Sequence, residues 1–166
     1  MVELHVPIIL RIYGCHMCEP PKFLIAKRSS TRELFPDKWE FGAAKPTAIE
    51  TFVDAIRREY KEDFNIDLII FDIDNLGYPQ PVAIYEEKRD YKDSGEILYK
   101  GIIFSGRIMD DINKITITNK HSEYKLLTFN EISELIDPSD CVPGFFEHLK
   151  AVHNMLCTFS CCNENE

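Results

Sequence analysis

Residues 51–64, Thr-Phe-Val-Asp-Ala-Ile-Arg-Arg-Glu-Tyr-Lys-Glu-Asp-Phe, carry two side-chain patterns at once, and both have the period of a helix. Phe52, Ile56, Tyr60 and Phe64 recur at i+4 and form one apolar stripe suited to packing on a sheet. Glu59, Glu62 and Asp63 stand at i, i+3 and i+4, so their carboxylates converge on a neighbouring stripe. Thr51 with Asp54 three residues later is a variant of the capping box. Asn65 stands where helices often end in a left-handed residue, a role for which asparagine is the best substitute for glycine. Arg58, four residues before Glu62, is close enough to steady its carboxylate.

The rest of the chain supplies the sheet. Val6–Tyr13 and Phe23–Arg28 read as a strand and its return, with a turn through Cys15–Pro21 between them. Ser29–Asp37 is polar and turn-like, and Trp39–Phe41 is a short extended piece. Further strands are expected at Ile66–Ile73, Pro81–Glu86, Ile97–Ile108 and Tyr124–Thr128, with Glu87–Glu96 as a charged loop. Asn130–Ile136 and Gly144–Leu156 read as helices. Without internal repeats or a linker, 166 residues make one α/β (α+β) domain around a mixed sheet, spanning 1–160, with 161–166 as a frayed tail.

The net charge of -9 argues against a nucleic-acid duplex as partner, since such proteins show a basic face. A small phosphate-bearing molecule remains compatible, because carboxylates can hold divalent cations and the cations can hold phosphates. Three clustered carboxylates repel one another by roughly a few kcal/mol, a cost that a cation removes. The bland alternative is a solvated acidic face. No apolar run approaches a membrane span, and Met1-Val-Glu-Leu-His lacks a secretory pattern, so a cytoplasmic location is expected. The cysteines at 15, 18, 141, 157, 161 and 162 are then read as reduced thiols. The C-x-x-C spacing of Cys15 and Cys18 also allows a zinc knuckle or redox pair, and Cys161-Cys162 is a poor second pair for zinc.

Residues 39–66 resemble the Nudix box, G-x5-E-x7-R-E-U-x-E-E-x-G-U, where U is a bulky aliphatic residue. Glu50 matches its first glutamate, Arg58-Glu59 follow at the required distance, Tyr60 takes a bulky position, Glu62 matches and Ile66 ends the pattern. Ala44 replaces the first glycine, Asp63 the last glutamate and Asn65 the second glycine. Phe23–Arg28 with the Trp-Glu-Phe segment, and His121–Leu127 followed by a helix, are similar to MutT-like members, and Val142-Pro-Gly is a common ending. The resemblance implies a Nudix-type α/β/α sandwich around a mixed sheet.

It also implies a divalent-metal-dependent hydrolase that cuts a phosphoanhydride bond in a nucleoside di- or triphosphate type of substrate. Glu59 and Glu62 would be the main metal ligands and Asp63 a weaker third, with magnesium or manganese suited to all-oxygen ligation. The base that activates water would be Glu59 or Glu123. Relatives often have glutamate at position 120, here Lys120, which weakens the second assignment. Glu50 and Arg58 would position the carboxylates. Arg28 and Lys45 are candidates for phosphate contacts, and Trp39 for stacking on a base, although a lone Trp beside a strand more often belongs to the core. Isopentenyl diphosphate isomerases share the fold, but the loop 42–46 lacks the cysteine and histidine they need. A nucleotide-binding module without turnover is the competing reading, with Ala43-Ala44 its best support. A homodimer is left open. Because Pro46 biases Lys45 towards extended angles, the alanine loop is expected to take a shape that alanine tolerates, not the positive φ a glycine would permit.

Overall fold

β1 (Val2–Ile12) runs through the middle of the molecule, and its alternating side chains set up a layer on each face. A computed structural model describes residues 2–12, 19–67, 69–74, 76–91, 95–109 and 111–160. The expectations for Cys15, Cys18, Cys161, Cys162 and the tail lie outside the described residues. Val6, Ile8 and Leu10 face one core, and Ile9 faces the other.

The sheet is mixed. β1 pairs in parallel with β7 (Gly95–Ile108) and antiparallel with β2 (Lys22–Arg28). β2 in turn holds β3 (Trp39–Glu40) and β8 (His121–Thr128), while β7 holds β5 (Ile69–Phe71) and β6 (Pro81–Tyr91). On one face lies α1 (Phe52–Phe64), with Ala55, Ile56, Tyr60 and Phe64 buried against Ile8, Leu10 and Phe104. On the other lie α2 (Phe129–Leu135) and α3 (Phe145–Ser160), which bury Ile132, Phe145, Leu149 and Val152 against Ile9, Phe23 and Ile25. The result is an α/β/α sandwich. Among the described residues, no helix is long and apolar enough to cross a membrane.

Two expectations need correction. The charged segment Glu87–Glu96 is not simply a loop: β6 runs on to Tyr91 and pairs with a β7 that begins at Gly95. Among its charges, Lys88 reaches Glu96 across the pair at 3.0 Å and Arg89 reaches Glu87 along its own strand at 2.8 Å. The strand expected at Ile66–Ile73 shrinks to Ile69–Phe71. Its start is taken by the helix cap, where the Ile66 amide donates to Tyr60 O, and beyond its end the Asp74 carboxylate accepts from the amides of Leu76 and Tyr78 in a tight turn.

The alanine loop is a two-residue strand, β4 (Ala43–Ala44), paired antiparallel with Val6 and Pro7 of β1. Ala44 is fully buried, and it is not among the residues at positive φ. Ala44→Gly is therefore expected to destabilise the protein by about 1 kcal/mol, through the lost buried methyl and the freer unfolded chain. Denaturant titration checks this; a midpoint that rises would mean that alanine strains the loop.

Candidate active site

α1 is fixed at both ends. Thr51 Oγ1 accepts from the Asp54 amide at 3.1 Å and donates to Asp54 Oδ2 at 2.6 Å. Asn65 closes the other end in the left-handed conformation, φ 56° and ψ 32°. The helix is pinned in rotation by Tyr60, whose buried hydroxyl donates to Ile8 O at 2.8 Å. Gly42 makes that contact possible, because a Cβ there would overlap Oη, Cζ and Cε2 of the Tyr60 ring.

With the apolar stripe docked, Glu59 and Asp63 face a cavity of about 530 Å³. Its wall also includes Lys45 after β4, Arg28 at the end of β2, the following turn with Arg32 and Phe35, Tyr85 and Arg89 of β6, and Lys120-His121. Arg28, Arg32, Lys45, Arg89 and Lys120 balance Glu33, Glu40, Glu59, Asp63 and Glu87 on this wall, in a chain that is otherwise strongly acidic. A polyanion therefore meets less repulsion here than over the rest of the surface.

The charges are held in place by specific partners. Arg58 grips Glu50 with two donors, at 2.6 and 3.0 Å, and gives a third to Glu59 Oε1 at 2.7 Å. It is Glu59 and not Glu62 that Arg58 steadies. The Arg58 bonds, with that of the Thr47 amide, hold the Glu50 carboxyl down at about 2. Arg28 donates to Glu40 at 2.6 Å and to Leu34 O at 3.0 Å, while His121 Nε2 lies 3.0 Å from the other Glu40 oxygen. Burial pushes the Glu40 carboxyl up, but His121 and Arg28 outweigh it and keep it below the usual value. Lys45 is tied to Glu3 at 2.7 Å and to the Tyr99 hydroxyl at 3.0 Å.

Lys120 occupies the acidic stripe. Its Nζ lies 2.7 Å from Asp63 Oδ1 and 3.4 Å from Glu59 Oε2. Burial lowers the Lys120 pKa and the two carboxylates raise it by more. Asp63 is buried, and its Oδ1 has no hydrogen bond of good geometry, although the ammonium is at ion-pair distance.

Five of the residues singled out from sequence are not on this wall: Glu50 and Arg58, which support Glu59 from behind, and three given a direct role, Glu62, Glu123 and Trp39. Glu62 is exposed on the helix. Glu123 is exposed on β8 and pairs with Lys125 at 3.4 Å. Trp39 is buried in the α3-side core, with Lys125 Nζ 4.8 Å above its ring. Conversely, Glu40, Arg89 and His121 face the cavity although the sequence reading gave them no role. A carboxylate between two aromatics on a strand, as in Trp39-Glu40-Phe41, was the available signal for Glu40.

The cavity wall also contains a half-buried histidine that stays neutral. His5 bonds through Nδ1 to the Tyr85 hydroxyl, and burial, with the nearby Arg89 charge, lowers its pKa to about 3. Between that value and its ordinary 6.5, the unfolded chain binds a proton that the folded one refuses. Stability should therefore fall as pH drops through this window, by up to about 1.4 kcal/mol per pH unit. His5→Gln should flatten the slope by about one proton in urea titrations between pH 4 and 6; an unchanged slope would refute the assignment.

Among the described residues, no three His, Cys, Asp or Glu side chains converge as a metal cage. Glu59 and Asp63 do converge on one ammonium, and the buried Asp63 Oδ1, 2.7 Å from it, marks a place that holds a cation. The residues thus fit a divalent ion on two carboxylates, with Glu62 next on the same stripe.

Searches with family models and against curated proteins found no match. Solved structures do match. A MutT protein from Methanosarcina mazei Go1 shares 16% identity over 93% of this chain and 95% of its own, with a TM-score of 0.66. The NUDIX domain of Shewanella oneidensis NrtR, complexed with ADP ribose, shares 13% over 94% and 89%, with a TM-score of 0.62. A C. elegans Ap4A hydrolase shares 15% over 94% and 98%, with a TM-score of 0.57. At such identities the likeness is one of fold.

Proposed function

We propose that this chain, which has the fold of the Nudix hydrolases, binds a phosphate-bearing molecule of the nucleotide class beside α1 and hydrolyses a phosphoanhydride bond in it. The observation that carries this reading is the pair Glu59 and Asp63 facing a cavity that also presents Arg28, Arg32 and Lys45. Solved neighbours named for Ap4A hydrolysis, or holding ADP ribose, support the nucleotide class.

In the proposed reaction, a water oxygen attacks phosphorus, the bridging P–O bond breaks, and the water proton passes to Glu59. Glu59 suits this role because Arg58 fixes its carboxylate on the cavity side, whereas Glu123 points away from the wall. Arg28 and Lys45 take up phosphate charge from positions already fixed by Glu40 and Glu3, and Arg32 adds a guanidinium on the same wall. Magnesium or manganese would be held by Glu59 and Asp63, while Glu62, exposed and off the cavity wall, would stay outside the pair. When bound, such an ion polarises a phosphoryl oxygen and makes water more acidic.

A phosphate-release assay over a panel of nucleoside triphosphates, dinucleotides and nucleotide sugars, with magnesium and with chelator, tests the reading. Turnover of at least one member, lost with chelator, is expected. Binding of a nucleotide with no turnover under any condition would select the competing reading, a binding module. The exposure of Glu62 and the ammonium on Asp63 favour that alternative.

A further inference from the structure

We propose that Lys120 is a resident counter-ion that competes with the divalent cation for Glu59 and Asp63 and yields its place when a phosphate-bearing ligand enters. The inference rests on the metal-assisted reading above. Lys120 reaches the acidic stripe from the turn before β8, where its backbone is anchored: its carbonyl accepts from the Ser29 amide at 2.9 Å. Its side chain is 36% exposed, so the ammonium can swing without disturbing the fold. It also lies on the cavity wall, within the space an incoming phosphate would share.

Electrostatics give the arrangement a direction. Glu59 and Asp63 together bear two negative charges, of which Arg58 partly neutralises the first and Lys120 lies against both. A divalent ion arriving alone must displace an ammonium already at contact distance, so its affinity is reduced. A phosphate supplies the ammonium with another anionic partner at the moment the carboxylates are needed, so metal and ligand assist each other's binding. An ordinary surface ion pair accounts poorly for these contacts, because Asp63 is buried and its Oδ1 is left without a well-formed hydrogen bond by the very group that pairs with it.

Calorimetric titration of the full chain with manganese alone provides the readout, without reference to turnover. Lys120→Gln should bind manganese about tenfold more tightly than the wild type or better, since one positive charge at roughly 4 Å has been removed. Lys120→Arg keeps the charge and should remain weak. Adding a non-hydrolysable methylene-bridged nucleotide should tighten manganese binding to the wild type by more than to Lys120→Gln. Circular dichroism confirms that the variants are folded. Equal manganese affinity for wild type and Lys120→Gln would overturn the inference while leaving the hydrolase reading standing. No manganese binding by either protein, with or without nucleotide, would overturn the metal-assisted reading and this inference with it.

Discussion

Glu59→Gln is expected to lower turnover on the best substrate by roughly two to four orders of magnitude, the usual contribution of a positioned acid or base. Glutamine preserves the size of the side chain and can still accept from Arg58 Nη1, so the connection to Glu50 survives. What disappears is the negative charge, and with it both the capacity to accept the water proton and half of the cation-binding pair. Glu59 is 18% exposed, so the fold should tolerate the change, with a melting temperature within a few degrees of wild type. Glu62→Gln and Glu123→Gln should each cost less, because neither carboxylate is on the cavity wall. Steady-state kinetics on the three variants decides the ranking; near wild-type turnover for Glu59→Gln would remove it from the mechanism.

Gly42→Ala should produce a large loss of stability for a single methyl group. The new Cβ would overlap the Tyr60 hydroxyl and two of its ring atoms. The ring cannot retreat, because Tyr60 is fully buried and its hydroxyl is committed to Ile8 O. Either that hydrogen bond breaks or α1 moves outward as a body, at a cost of about 2–3 kcal/mol and roughly 5–10 °C in melting temperature. Since α1 carries Glu59 and Asp63, activity should fall along with stability. A melting temperature within a degree of wild type would show that α1 is not held by this contact.

The helix was the most legible part of the chain because two independent patterns specified it. Its N-cap at Thr51 and left-handed Asn65 could be read from single residues whose chemistry has few other uses. The mixed sheet followed from the strands and helices around it, the sandwich only from the resemblance to the Nudix box, and the register of Ala44 against Val6 agrees with an alanine-compatible loop. The β6–β7 pair extends further than composition suggests because Glu87–Arg89 look like loop residues in isolation; only their cross-strand partners Tyr99, Leu98 and Ile97, with Glu96 for the Lys88 ammonium, make them strand residues. The cavity was less legible. Helical spacing places Glu59, Glu62 and Asp63 on one stripe, but how the helix docks, fixed by Tyr60 and Gly42, decides that only Glu59 and Asp63 face inward. The pairings of Glu40 with Arg28 and His121, and of Lys120 with Asp63, join residues far apart in the chain that no local pattern links.

The most direct measurement for the account is anomalous diffraction from crystals grown with manganese and a methylene-bridged nucleotide. A manganese peak is expected between the Glu59 and Asp63 carboxylates, with the phosphates beside it in the cavity and Lys120 turned from Asp63 towards phosphate. A nucleotide bound away from this cavity, or one bound within it while Lys120 stays on Asp63 and no manganese peak appears, would contradict it.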